Sequence, residues 1–150
     1  MGSPAHLERP PLAPPRLPGS YLVVELTNRC SLRCVHCAVS ENGHPHHART
    51  GMMDPVIFES VVDDLVSVGG AFDSLVMFWL GEPLLHPFFD RLRRHALRAA
   101  VQHDTFGRIE VHTNATHLTE ARTRALLNDS SKSTANPMLL APTVANAAPA

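Results

Sequence analysis

The chain has 150 residues, 44% of them hydrophobic, which suits a single domain with its own core. A formal net charge of -1 gives no electrostatic reason to bind nucleic acid or an anionic membrane surface. No apolar run approaches the roughly 20 residues that span a bilayer, and the N-terminus lacks the apolar segment of a secretory signal, so we expect a soluble cytoplasmic protein.

The two ends of the chain differ in composition from its middle. Residues 1–20 contain six prolines and no apolar periodicity, which predicts a disordered arm. Residues 129–150 are rich in Ser, Thr, Asn, Ala and Pro, which predicts a disordered tail. The folded part is therefore expected to be residues 21–128.

Strand-like and helix-like segments alternate through this folded part. Short apolar runs predict strands at residues 21–26, 74–79 and 108–113, and helical patterns follow them at residues 54–70, 87–102 and 119–128. Three such βα units predict an α/β fold with a parallel sheet and helices on its outer face.

The first two helices carry clear signals. Asp54 and Pro55 are typical of a helix start, and Gly69 and Gly70 of a helix end. The predicted core stripe of the first helix is Ile57, Val61, Leu65 and Val68, and that of the second is Phe89, Leu92, Ala96 and Ala99.

In a parallel α/β sheet, functional residues gather in the loops at the carboxyl ends of the strands. Three unusual stretches occupy those positions: the cysteine loop, "LGEPLLHP" and "TNATHL". We therefore expect one composite site at this edge of the sheet.

All cysteines of the chain lie in the first of these loops, as Cys30, Cys34 and Cys37 in C-x3-C-x2-C spacing. An odd number of cysteines argues against a secreted disulfide framework. Thiolates are soft ligands, and three of them can hold three irons of a [4Fe–4S] cluster while the fourth iron stays open. The residues alone leave two alternatives: three reduced cysteines without metal, and a Cys3His zinc site completed by His36, His44, His46 or His47.

The three stretches together resemble the radical S-adenosylmethionine (SAM) superfamily. "TNRCSLRCVHC" is similar to its cluster loop, "LGEPLLHP" resembles its Gly-Gly-Glu motif with Leu80 at the first glycine, and "HTNATHL" resembles its Thr-Asn-Gly-Thr segment with Ala115 at the glycine. The resemblance covers residues 21 to about 128, where all three motifs occur in the family's order.

This resemblance implies the fold and the cofactors. The expected fold is an incomplete radical SAM (β/α) barrel, with about three βα units where the family has about six. Cys30, Cys34 and Cys37 would hold a [4Fe–4S] cluster whose open iron chelates SAM. Gly81, Glu82 and Pro83 would lie against the methionine end of SAM, with the Glu82 carboxylate pairing with its ammonium group.

Other residues receive roles from the same resemblance or from strand alternation. His36 is expected to pack near the cluster or the adenine. Alternation places Glu110, His112 and Asn114 on one face of the third strand, opposite Ile109, Val111 and Thr113, and in a barrel this polar face would line the lumen. Asn114 is expected to contact SAM or substrate, whereas Glu110 and His112 form either part of the site or a polar pair.

The implied activity is reductive cleavage of SAM to a 5'-deoxyadenosyl radical that modifies a substrate, with electrons from a separate donor. "CSLRCVHC" and "GEPLLHP" resemble peptide- and cofactor-maturing members, which favours a peptide substrate. The residues assign no catalytic side chain beyond the cofactor ligands. A non-catalytic zinc-binding remnant is the alternative.

Only half of the family's barrel is predicted from this sequence. We therefore expect a fragment or truncated form, a third strand that is an unpaired edge, and either self-association or a partner chain that completes the barrel.

Overall fold

The computed structural model of the protein describes residues 16–34, 37, 50–132 and 140–142. Its elements, in chain order, are β1 (Leu17–Val23), α1 (Pro55–Ser67), β2 (Phe72–Val76), a 3₁₀ turn (Pro83–Leu85), α2 (Phe89–His103), β3 (Phe106–Thr113), α3 (Glu120–Lys132) and β4 (Leu140–Pro142). The strands form a sheet of order β1-β2-β3-β4 with parallel pairing throughout. The predicted α/β fold with three βα units is confirmed.

Element boundaries differ from the predictions mainly at the two ends. β1 begins at Leu17 and so includes residues assigned to the N-terminal arm, and α3 continues to Lys132. β4 lies within the predicted tail and pairs with Val111, His112 and Thr113 of β3. The prediction that the third strand is an unpaired edge is therefore wrong at the carboxyl end of β3.

The ends of α1 form as the sequence predicts. Asp54 caps the helix by accepting a hydrogen bond from the Val56 N–H at 2.8 Å, and Pro55 occupies the first helical position. At the other end Gly69 has a positive φ of 67°, and the Gly70 N–H donates to the Leu65 carbonyl at 2.8 Å. Glycine suits this left-handed position because it has no Cβ, which is why the helix stops there.

One hydrophobic core lies between the sheet and the three helices. Its buried members are Leu26, Phe58, Val62, Leu75, Met77, Leu84, Phe89, Leu92, Ala96, Ala99, Phe106, Ile109, Val111 and Leu126. The predicted stripe of α2 is confirmed in full, since all four of its residues are buried.

The predicted stripe of α1 is wrong at Ile57, Val61 and Val68, which are exposed, and correct at Leu65, which packs against the core. Phe58 and Val62 face the core, whereas Ile57 is 57% exposed and Val68 is also exposed. The reason is that α1 carries apolar side chains on most of its circumference, so periodicity leaves its rotation open. Contacts with α2 help to set that rotation: Glu59 forms an ion pair with Arg91 at 2.6 Å, and His95 Nε2 hydrogen-bonds to Asp63 at 2.8 Å.

The opposite face of the sheet carries no helix among the described residues. We call it the open face; it is lined by Tyr21, Val23, Ser74, Val76, Phe78, Trp79, Arg108, Glu110 and His112 around a cavity of about 310 Å³. The predicted alternation along β3 is confirmed, since Ile109 and Val111 are buried in the core and Glu110 and His112 lie on the open face.

None of the helices within the described ranges has the length and apolarity needed to cross a membrane.

Candidate functional site

The base of the cysteine loop is closed by hydrogen bonds between its two ends. Thr27 forms an isolated antiparallel bridge with Met52, and its hydroxyl donates to the Gly51 carbonyl at 2.7 Å. The Gly51 N–H in turn donates to Asn28 Oδ1 at 2.8 Å. These contacts fix the points where the loop leaves the sheet and returns to α1.

All three cysteines are free thiols. Cys30 is exposed, and Cys34 and Cys37 are half-buried. The Cys37 N–H donates to the Cys34 carbonyl at 3.1 Å, so these two residues share one turn of the loop. Within the part of the chain that the structure describes, no three Cys, His, Asp or Glu side chains are grouped as a metal site. His36 lies outside the described residues, as do His44, His46 and His47.

Gly81 packs directly on the backbone of the cysteine loop. A Cβ atom at this position would overlap the Thr27 carbonyl oxygen and lie 2.9 Å from that of Arg29. The neighbouring Glu82 N–H donates to the same Arg29 carbonyl at 2.8 Å. The loop after β2 therefore meets the cysteine loop backbone to backbone, which only glycine allows.

Leu80, which replaces the family's first glycine, is held by a residue that the sequence did not single out. Its N–H donates to Glu25 Oε1 at 2.8 Å. Glu25 lies just after β1, so this bond again joins the first and second loops.

Glu82 is only 2% exposed, and its carboxylate accepts three hydrogen bonds. Oε1 accepts from the Leu84 N–H at 2.9 Å and from the Thr113 hydroxyl at 2.7 Å, while Oε2 accepts from the Asn114 N–H at 2.7 Å. A buried carboxylate needs such donors to offset its desolvation. Glu82 thus caps the 3₁₀ turn and joins it to the end of β3.

His86 makes a similar connection on the other side of the turn. Its Nδ1 lies 3.2 Å from the Phe88 N–H, which can only donate, so Nδ1 is the acceptor. The proton then resides on Nε2, which donates to the Met53 carbonyl at 2.9 Å. The buried imidazole thereby ties the second loop to the segment before α1.

Asn114 reaches from the end of β3 to the cysteine loop. Its Nδ2 lies 3.5 Å from Cys30 Sγ and 3.4 Å from Ser31 Oγ. The Ser31 hydroxyl is also 2.8 Å from that of Thr116. Ala115 has a positive φ of 64°, which explains why the resembling motif has glycine there.

The open face carries a polar cluster beyond these loops. Burial would raise the pKa of Glu110, but hydrogen bonds from Ser74 and Arg108 and the charge of Arg108 outweigh it, so this pKa lies below its usual value. His112 Nε2 lies 3.5 Å from Glu110 Oε2, and its ring stacks on Phe78 with centroids 4.6 Å apart. The two side chains thus form a polar pair that lines the open face.

The structure thus brings the predicted loops together through named contacts. Cys30, Gly81, Glu82 and Asn114 belong to one connected set, and the neighbouring Pro83 is buried. Sequence reasoning missed Glu25, Ser31, His86 and Thr113, whose contacts depend on distant partners. Three free cysteine thiols in one loop, which would bind metal as thiolates, fit the ligand preference of an iron–sulfur cluster.

Residues 24–130 match the Radical SAM superfamily. This span covers more than half of the chain, so the protein belongs to the radical SAM superfamily, whose members bind a [4Fe–4S] cluster and SAM. No curated protein matches the chain.

Two solved structures share the fold. The crystal structure of BtrN in complex with AdoMet and 2-DOIA is 26% identical with a TM-score of 0.58, over 73% of this chain and 42% of BtrN. Selenomethionine BtrN in an open conformation is 25% identical with a TM-score of 0.56, over 73% and 45%. The chain therefore spans less than half the length of the BtrN chains it matches, consistent with a partial barrel.

Proposed function

We propose that the protein binds a [4Fe–4S] cluster through Cys30, Cys34 and Cys37 and binds SAM beside it. The observation that carries this proposal is that the family's three motifs meet at one edge of the sheet, with Asn114 against Cys30 and Gly81 against the cysteine loop. When bound, the cluster would supply one electron to the sulfonium of SAM, which would break its S–C5' bond to give methionine and a 5'-deoxyadenosyl radical for hydrogen abstraction from a substrate.

Within this function Glu82 acts as a positioning residue. The ammonium pairing expected from the sequence competes with three internal donors that already occupy its carboxylate. The contribution of the loop to SAM binding is better assigned to the backbone around Gly81, which lies closer to the cysteine loop. Through its hydrogen bond to Asn114, Glu82 holds that backbone at a fixed position relative to Asn114.

The substrate region of this proposal is the open face. Tyr21 is 67% exposed and Trp79 is 59% exposed, so this face is in contact with water. Radical chemistry requires a site from which water is excluded. We propose that radical cleavage of SAM is coupled to a substrate only when further βα units or a partner chain cover this face. Without them, self-association of the chain would cover it instead.

The remaining parts of the proposal concern partners and location. A peptide is the favoured substrate on motif similarity, and a separate electron donor reduces the cluster. The free thiols fit a reducing cytoplasm. No nucleic-acid or membrane partner is proposed, since the net charge of -1 offers no attraction to either.

Anaerobic reconstitution with iron and sulfide tests the proposal. We expect about four irons per chain, a paramagnetic resonance signal on reduction, and a change in that signal when SAM is added. Ala substitution of Cys30, Cys34 or Cys37 should abolish stable cluster binding, whereas Ser31→Ala should retain it. Tight stoichiometric zinc without iron uptake would falsify the proposal in favour of a zinc site.

A further inference from the structure

One side-chain amide reaches a predicted cluster ligand from a different βα unit. Asn114 Nδ2 donates toward Cys30 Sγ at 3.5 Å, a normal separation for a hydrogen bond to sulfur. The Leu32 N–H approaches the same sulfur, also at 3.5 Å. Cys30 Sγ is therefore the acceptor of one local donor and one donor that only the tertiary fold provides.

The orientation of the Asn114 amide is fixed by its other contacts. Oδ1 accepts from the Thr116 N–H at 3.0 Å and from the Thr116 hydroxyl at 2.7 Å. A backbone N–H can only donate, so the amide oxygen must face Thr116. The NH₂ group is thereby directed at Cys30, and the Asn114 backbone is held by Glu82 at 2.7 Å.

We infer that Asn114 is a positioning residue that tunes the reduction potential of the cluster through its hydrogen bond to Cys30. This inference rests on the proposed function and assigns Asn114 a role toward the thiolate, where the sequence suggested contact with SAM or substrate. Hydrogen bonds to cluster sulfurs are among the features that set the potentials of iron–sulfur centres.

The direction of the effect follows from electrostatics. Reduction adds an electron to a cluster that already carries negative thiolates. An N–H dipole aimed at a ligand sulfur stabilises the reduced state more than the oxidised state, because the reduced state is more negative. The Asn114 donor therefore raises the midpoint potential and makes the cluster easier to reduce.

The test measures the midpoint potential by paramagnetic-resonance redox titration of the reconstituted full chain without SAM. Asn114→Asp keeps the acceptor for Thr116 but replaces the donor by an anionic oxygen, and Asn114→Ala removes the donor without adding charge. Both variants should shift the midpoint to more negative values, Asp more than Ala. Asp keeps an acceptor for the Thr116 hydrogen bonds of the turn, whereas Ala removes it. One variant therefore remains informative if the other fails to fold.

Ser31→Ala is the matched control. It removes the contacts of Ser31 with Asn114 and Thr116 but leaves the Asn114–Cys30 hydrogen bond in place. Its midpoint should equal that of the wild type. Unchanged midpoints in both Asn114 variants, or an equal shift in Ser31→Ala, overturn this inference alone. A wild-type chain that takes up no cluster overturns the proposed function as well.

Discussion

The loop edge of the sheet and its open face differ in how tightly their residues are packed and how far they are exposed to water. At the loop edge, which carries Cys30, Gly81, Glu82 and Asn114, backbone and side chains are locked by short contacts, and Glu82 is buried. On the open face, Trp79 and other large side chains are exposed, and the polar groups are only partly shielded.

This difference separates a region whose geometry is set by its own hydrogen bonds from one that is open to water. The loop edge has its geometry fixed by internal hydrogen bonds, as a cofactor site requires. The open face has apolar area in water, which is typical of a surface that another part of a protein covers. Substitutions at the loop edge should therefore cost much more stability than substitutions on the open face.

The largest effect is expected for Gly81→Ala. The added methyl group meets backbone carbonyls rather than a flexible side chain, so the two loops must separate. We expect a loss of about 3 kcal/mol or more in the free energy of unfolding, measured by denaturant titration of the apoprotein. Gly51→Ala is the control: its Cβ would meet nothing within 4 Å, and the change should stay within about 0.5 kcal/mol. Similar values for the two variants would contradict the packing described here.

Glu82→Gln should be the next most damaging. The amide nitrogen cannot accept a hydrogen bond, so it leaves Thr113, Leu84 or Asn114 without its buried acceptor. We expect a loss of about 2–3 kcal/mol in unfolding free energy, the upper range for hydrogen bonds to a charged group. Glu120→Gln, on the exposed surface of α3, should change it by no more than about 0.5 kcal/mol. If both substitutions behave alike, Glu82 is not the connection between the loops.

A smaller change of opposite sign is expected for Ala115→Gly. Ala115 has φ 64°, where its Cβ is strained, and glycine removes that strain while losing some chain entropy on folding. We expect a net gain of about 0.5–1 kcal/mol, read from the denaturant midpoint. Ala125→Gly within α3 should instead lose about 1 kcal/mol. Loss of stability at both positions would argue against a strained turn.

The smallest effect concerns the open face. The pKa of Glu110 lies below its usual 4.5, so its carboxylate contributes stability that is complete above this value and is lost as pH falls through the lower pKa of the folded state. Glu110→Gln should reduce the loss of unfolding free energy that occurs as the pH falls below 4.5, by under about 1 kcal/mol because the cluster is partly solvated. Identical pH profiles for variant and wild type would remove Glu110 from this role.

The helices α1 and α2 show when hydrophobic periodicity predicts the buried face of a helix and when it does not. In α2, Phe89, Leu92, Ala96 and Ala99 recur at helical spacing, so the apolar part of its buried face was predicted correctly, whereas the buried Arg93 was not. In α1, Ile57 and Phe58 compete for the same core, and periodicity favoured the wrong one. Packing of the larger Phe58 ring, together with the Glu59–Arg91 ion pair to α2, favours the observed rotation.

The local features could be predicted from the sequence: the βα order, the caps of α1, the alternation along β3 and the motif loops at the carboxyl ends of the strands. Each of these depends on residues close together in the chain, whose geometry is set by backbone and side-chain periodicity. The tertiary structure alone decided which groups meet across the loops. Glu82 and Thr113 are 31 residues apart, and Asn114 and Cys30 are 84 apart. No periodic pattern relates residues at such separations. They meet because parallel strand pairing and the backbone contact at Gly81 bring their loops together.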